Sequence, residues 1–138
     1  MVFAKGFDDT EGYTKGWAVI YALDAITLEI RLTFGQEQEH HVFPLDITTS
    51  NDEVFVSTQF DEQPKDRILV FSFSGKHLRT LHGDFRYLNG LSWVNRRLYV
   101  VAHSDAKAPR LFVVRPEDGS TLQVFNAGQE YVQGPWQW

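Results

Sequence analysis

The sequence predicts an all-β chain of about three four-stranded antiparallel blades, which is a segment of a β-propeller. Two observations predict this fold: a repeat of about 44 residues, and short β-branched and aromatic runs separated by turn residues. A repeat of this length is typical of propeller blades and of some helical repeats. The runs are too short for helices, so each repeat predicts one blade.

The repeat is visible when residues 44–61 are placed over residues 88–105 without a gap. Apolar positions then match in character along both segments. After a short slip in one loop, residues 67–83 lie over residues 110–128 in the same way. The intervening turns contain Gly, Asn and Asp, which tolerate the positive φ of tight hairpins.

The blade boundaries follow from the phase of the repeat. Residues 1–35 predict strands two to four of a blade, residues 41–83 and 85–128 each predict a complete blade, and residues 131–138 predict a spare first strand. Because propeller rings contain about four to eight blades, three blades do not close a ring. We therefore expect either a longer polypeptide or a homodimer in which the spare strand completes the partner's first blade. The residues that define this closure strand are Val132, Trp136 and Trp138.

The segment "FPLDITTSNDEVFVSTQFDEQPKDRILVFSFSGKHLRTLHG" resembles an NHL repeat. The resemblance is carried by a Pro-x-Asp-Ile start, the apolar run at residues 54–56, the Arg-Ile start of the third strand at residue 67, and glycines at 75 and 83. The next repeat, "LNGLSWVNRRLYVVAHSD", resembles the gluconolactonase and regucalcin family. Together they imply a six-bladed propeller, of which this chain would supply half.

The second resemblance implies an alternative function, a lactonase or related hydrolase that depends on a divalent cation such as Ca²⁺. In that family the Asn of the Asn-Gly-Leu step is a metal ligand, and Asn89 and Asp46 fit its pattern. A zinc site on the same face, as in related amidating lyases, would use His103 with His40 or His41. The competing interpretation is that Asn89-Gly90 forms a turn and that Asp46 caps backbone N–H groups.

Composition narrows the possible partners. The net charge of −5 and the scattered 13 basic residues argue against a nucleic-acid-binding surface. No apolar run reaches the length of a membrane span, and the first twelve residues lack the features of a signal peptide. The sequence indicates no compartment and, apart from the metal alternative, no cofactor.

We therefore expect a non-catalytic module for protein recognition or assembly, and we predict no catalytic residues. Strand order places the longer loops of a propeller on one face, and partners are expected to bind there through aromatic side chains within an acidic rim. The predicted contact residues are Phe7, Asp8, Asp9, Tyr13, Phe60, Asp61, Glu62, Phe85, Tyr87 and Tyr131.

Overall fold

A computed structural model describes residues 1–8, 17–35, 42–60, 66–83, 85–103 and 109–126. Only the backbone is described for Asp8, Trp17, Val42, Phe60, Arg86, His103 and Asn126. Within these residues the regular secondary structure is entirely β, arranged in three antiparallel sheets. The predicted fold class, an all-β segment of a propeller, is confirmed.

The three sheets follow one another along the chain. Sheet A contains β1 (Val2–Asp8), β2 (Trp17–Leu23) and β3 (Ile30–Phe34) in that order. Sheet B contains β4 (Val42–Thr49), β5 (Glu53–Phe60), β6 (Arg67–Ser72) and β7 (His77–His82). Sheet C contains β8 (Arg86–Val94), β9 (Arg97–His103), β10 (Pro109–Val114) and β11 (Thr121–Asn126).

The register shows how the sheets correspond. Ile20 on β2 lies opposite Phe34 on β3, as Ile68 on β6 lies opposite Leu81 on β7 and Leu111 on β10 lies opposite Phe125 on β11. Strands β2 and β3 therefore correspond to β6 and β7 of sheet B and to β10 and β11 of sheet C, and β1 corresponds to β5 and β9. Within the described part of the chain, sheet A has no strand that corresponds to β4 or β8, and β1 is paired on one side only.

Sheet B is the middle layer of a three-sheet stack. One of its faces packs on Ile20 and Phe34 of sheet A, and the other packs on Leu98 and Val100 of sheet C. Apolar burial on both faces stabilises the stack, because each buried apolar side chain contributes about 1.5–3 kcal/mol. The apolar run at residues 54–56 on β5 is therefore completely buried.

The first strands of sheets B and C are joined by side chains. The Asp46 carboxylate on β4 accepts a hydrogen bond of 2.8 Å from the Leu91 N–H on β8. Two residues further on, Thr48 Oγ1 accepts one of 3.1 Å from the Trp93 N–H. Edge N–H groups of β8 are thereby satisfied across the blade interface, which keeps neighbouring blades in a fixed register.

The strands extend further than the sequence indicated at two places. β1 continues to Asp8 because residues 2–8 pair one by one with β2, so Phe7 and Asp8 lie in a strand rather than in a loop of the predicted recognition face. In the same way β5 continues to Phe60, whose backbone pairs with Val42. No helix with the length and apolar character of a membrane span occurs in the described ranges.

Candidate functional site

The predicted recognition face is described only in part. Asp9, Tyr13, Asp61, Glu62 and Tyr131 lie outside the described residues, as do Val132, Trp136 and Trp138 of the predicted closure strand. Phe7 is half-buried, and its ring stacks on Phe43 with the ring centroids 4.8 Å apart. The acidic rim thus stays a prediction.

Two aromatic residues of that face have different environments. Phe85 is only 1% exposed, and its ring packs edge-to-face on Phe112 of sheet C. The prediction that Phe85 anchors a partner is therefore wrong, because its ring belongs to the core between sheets B and C. Tyr87 is 49% exposed at a bulge in β8, with φ +50°. Its ring is accessible to a partner.

Asp46, the acidic residue of the metal alternative, is held by backbone donors. One carboxylate oxygen accepts the N–H of Ile47 at 2.8 Å, and the other accepts the N–H of Leu91 at 2.8 Å. The Ser57 hydroxyl accepts the Asp46 N–H on the same side of the sheet. These contacts give Asp46 a structural role as a cap that joins two sheets.

The other two predicted ligands are Asn89 and His103. Asn89 is exposed and lies at an irregularity in β8, between Leu88 and Gly90. His103 ends β9, and its side chain is outside the described part of the structure, as are His40 and His41. Among the described residues, no three His, Asp or Glu side chains are grouped so that they would hold a metal ion.

The outer face of sheet C carries an apolar surface that was not predicted as a site. Its members, called here the open face, are Tyr99, Val101, Leu111, Val113 and Phe125. Gly90 and Ser92 continue this face into a shallow apolar groove. Val101 and Phe125 are exposed, Tyr99 and Leu111 are half-buried, and Val113 is buried, with 5% exposure. No residue of this set is charged.

The same strand positions are covered in the other two sheets. Phe55, Ile68 and Leu81 of sheet B occupy the places of Tyr99, Leu111 and Phe125, and all three are buried beneath sheet C. The contrast is largest at the fourth strand, where Leu81 is 1% exposed and Phe125 is 45% exposed. The open face therefore has the composition of an interior sheet face but lacks a covering sheet among the described residues.

The buried carboxylate of Asp66 lies beside the start of β8, the first strand of sheet C. Asp66, just before β6, accepts a 2.6 Å hydrogen bond from the Leu88 N–H. Burial raises the pKa of the Asp66 carboxyl above its ordinary value of 3.8, and the hydrogen bonds from the Leu88 and Tyr87 backbones oppose that rise. Asp66 thus fixes the backbone beside the left-handed Tyr87, and sequence patterns gave no sign of it.

Comparison with known proteins assigns no function to these surfaces. No family model matches the chain, and no curated protein matches it.

Proposed function

We propose that the chain is a non-catalytic propeller module that acts in protein recognition or assembly, and that it belongs to the NHL-like, six-bladed kind. The observation that carries the proposal is the open face of sheet C. Its five side chains are uncharged and lie at positions whose counterparts are buried in sheet B. An apolar patch of this kind on a sheet face favours contact with another protein surface.

The open face has the features of a contact surface rather than of a substrate pocket. The groove along Gly90, Tyr99 and Leu111 is lined almost wholly by apolar atoms, and no charged residue lines it. Substrate sites need a few polar groups that converge on the reacting atoms. Protein interfaces instead place aromatic and aliphatic side chains at their centre, and Tyr99, Val101 and Leu111 line the groove here.

The loop-rich face is the second surface in the proposal. Tyr87 supports it, because an exposed aromatic ring on a bulge is well placed to anchor a partner. The ring stack of Phe7 on Phe43 adds apolar surface at the corresponding end of β1 and β4. Phe85 is buried and does not contribute to this surface.

A photo-crosslinking experiment tests whether the open face contacts protein. Tyr99→p-benzoylphenylalanine places the reactive group on the open face, and Asn51→p-benzoylphenylalanine places it in the exposed β4–β5 turn as a matched control. After irradiation in the cells that express the chain, we expect a protein adduct at position 99 and much less at position 51. No adduct at position 99, or equal labelling at both positions, would contradict the proposal.

A further inference from the structure

We infer that the open face of sheet C is covered by sheet A of a second copy of this chain. The inference rests on the proposed function and names the partner for the same surface. At the opposite end of the three-sheet stack, sheet A has a face that no other described strand covers. The exposed and half-buried apolar residues of this face, called here the outer face of sheet A, are Val2, Ala4, Tyr21 and Leu23. Val19 lies on the same side of β2 and is buried.

The outer face of sheet A corresponds, position by position, to faces that are buried elsewhere. Its counterparts in sheet B are Val54, Val56, Leu69 and Phe71, which pack on sheet A. Its counterparts in sheet C are Leu98, Val100, Phe112 and Val114, which pack on sheet B. In sheet A itself, Val2 and Ala4 are exposed, and Tyr21 and Leu23 are half-buried. One chain thus carries both halves of an interface that it already forms twice internally.

The internal interfaces predict a specific contact. Between sheets A and B, the Phe34 and Phe71 rings lie with their centroids 5.1 Å apart. The same two positions between sheets B and C are Leu81 and Val114, which share one core cluster. At an interface between copies, these positions are Phe125 of one chain and Leu23 of the other. We therefore expect Phe125 to pack on the second copy's Leu23.

The β2–β3 turn differs from the β10–β11 turn in how closely it can approach a neighbouring sheet. Gly119, in the β10–β11 turn, approaches sheet B so closely that a Cβ there would lie 2.8 Å from the His82 carbonyl oxygen. The matching residue of the β2–β3 turn is Leu28, with φ +61° and a side chain that is 61% exposed. The second copy's turn must therefore sit slightly further from β11, and Leu28 adds apolar surface beside Phe125.

In a pair of copies, both apolar faces of each chain are covered. Each chain contributes one open face and one outer face, so a pair of chains related by a two-fold axis forms two identical interfaces. Six sheets then close into a ring, with neither apolar face left in water. Partner identity thus follows from complementarity between two faces of the same chain.

A charge-complementation experiment tests this inference with the purified intact chain. Phe125→Lys places a cation on the open face, and Leu23→Glu places an anion on the outer face of sheet A. Each variant alone is expected to weaken dimerisation about 100-fold, because a charge is buried against an apolar surface. An equimolar mixture should recover a heterodimer, since one interface then pairs Lys with Glu and the other is wild type. Circular dichroism of each variant checks that the sheets remain folded.

The outcomes separate this inference from the proposed function. A wild-type chain that dimerises, with complementation in the mixture, supports the inference. Variants that dimerise as tightly as wild type overturn it, as does a mixture without recovery when both variants are folded. If the purified chain stays monomeric while position 99 crosslinks to a different protein, the second copy is the wrong partner and the recognition function stands. If it stays monomeric and no adduct forms, both proposals fail.

Discussion

At the scale of single residues, Asp46 joins two sheets through its two carboxylate oxygens. Asp46→Ala removes the acceptor of the Leu91 N–H and leaves that donor at the blade interface. We expect the free energy of unfolding, measured by urea titration, to fall by about 1–3 kcal/mol. The control is Asp52→Ala in the exposed β4–β5 turn, which should change it by less than about 0.5 kcal/mol.

The same variant tests the metal alternative. If Asp46 acts only as a cap, adding calcium chloride should leave the stability difference between wild type and Asp46→Ala unchanged. Calcium-dependent stabilisation of the wild type that is lost in Asp46→Ala would instead support a cation site. The measurement is urea unfolding of both proteins with and without the ion.

Asp66 predicts a pH dependence with a defined sign. Burial raises its pKa in the folded state above 3.8, so the folded protein binds the proton more tightly than the unfolded chain does. The stability of the wild type relative to Asp66→Asn should therefore decrease as pH rises from 3.8 through the raised pKa, and stay lower above it. Urea unfolding of both proteins from acidic to neutral pH measures this difference. A difference that is flat or increases with pH would contradict the assignment.

At the scale of elements, the hairpin turns between third and fourth strands set how closely the sheets pack. Gly119 adopts φ +81° and has no space for a Cβ beside the His82 carbonyl. Gly119→Ala should destabilise the protein by about 2 kcal/mol, from backbone strain and from the close contact.

The reverse change in sheet A is the matched comparison. Leu28 has φ +61° and an exposed side chain, so Leu28→Gly should relieve strain and leave stability unchanged or increased by about 1 kcal/mol. Both variants are measured by thermal and urea unfolding in the Phe125→Lys background, at a protein concentration at which that variant is monomeric. Equal losses in both would show that the left-handed turn geometry is not the cause.

The elements also show what could and could not be predicted from sequence. The runs at residues 54–56 and 98–101 were both predicted as strands, and both are strands. Their burial differs because sheet B packs on another sheet at both faces, whereas sheet C packs on a sheet of the described residues at one face. The residue pattern does not contain this stacking order. For the same reason Phe85, an aromatic residue in an expected loop, was placed on the surface although it fills the B–C interface.

The candidate site was also predictable from sequence only in part. Asp suits both caps and cation sites, so the sequence leaves two interpretations of Asp46 open, and the two backbone donors seen in the structure support the capping interpretation. The open face was not predicted as a site. Tyr99, Val101 and Leu111 are residue types that usually lie in a core. Whether they are accessible depends on whether another sheet packs on them, which the sequence pattern does not show.

At the scale of the whole molecule, the predicted strand exchange depends on residues 131–138, which lie outside the described residues. β1 is paired on one side only within the described part of the chain, and an added strand would satisfy its free edge. Deleting residues 131–138 should convert a dimer into monomer or aggregate, as seen by light scattering after size-exclusion chromatography. The control replaces them with a Gly-Ser tail of equal length. A deletion that stays dimeric and equally stable would remove the basis for strand exchange.

The mass of the intact chain in solution shows whether the open face of sheet C and the outer face of sheet A cover one another between two copies. Sedimentation equilibrium should give twice the chain mass of 15.9 kDa, and Phe125→Lys should shift the species to the single-chain mass. A folded wild-type chain of 15.9 kDa at every concentration up to about 100 μM would contradict it.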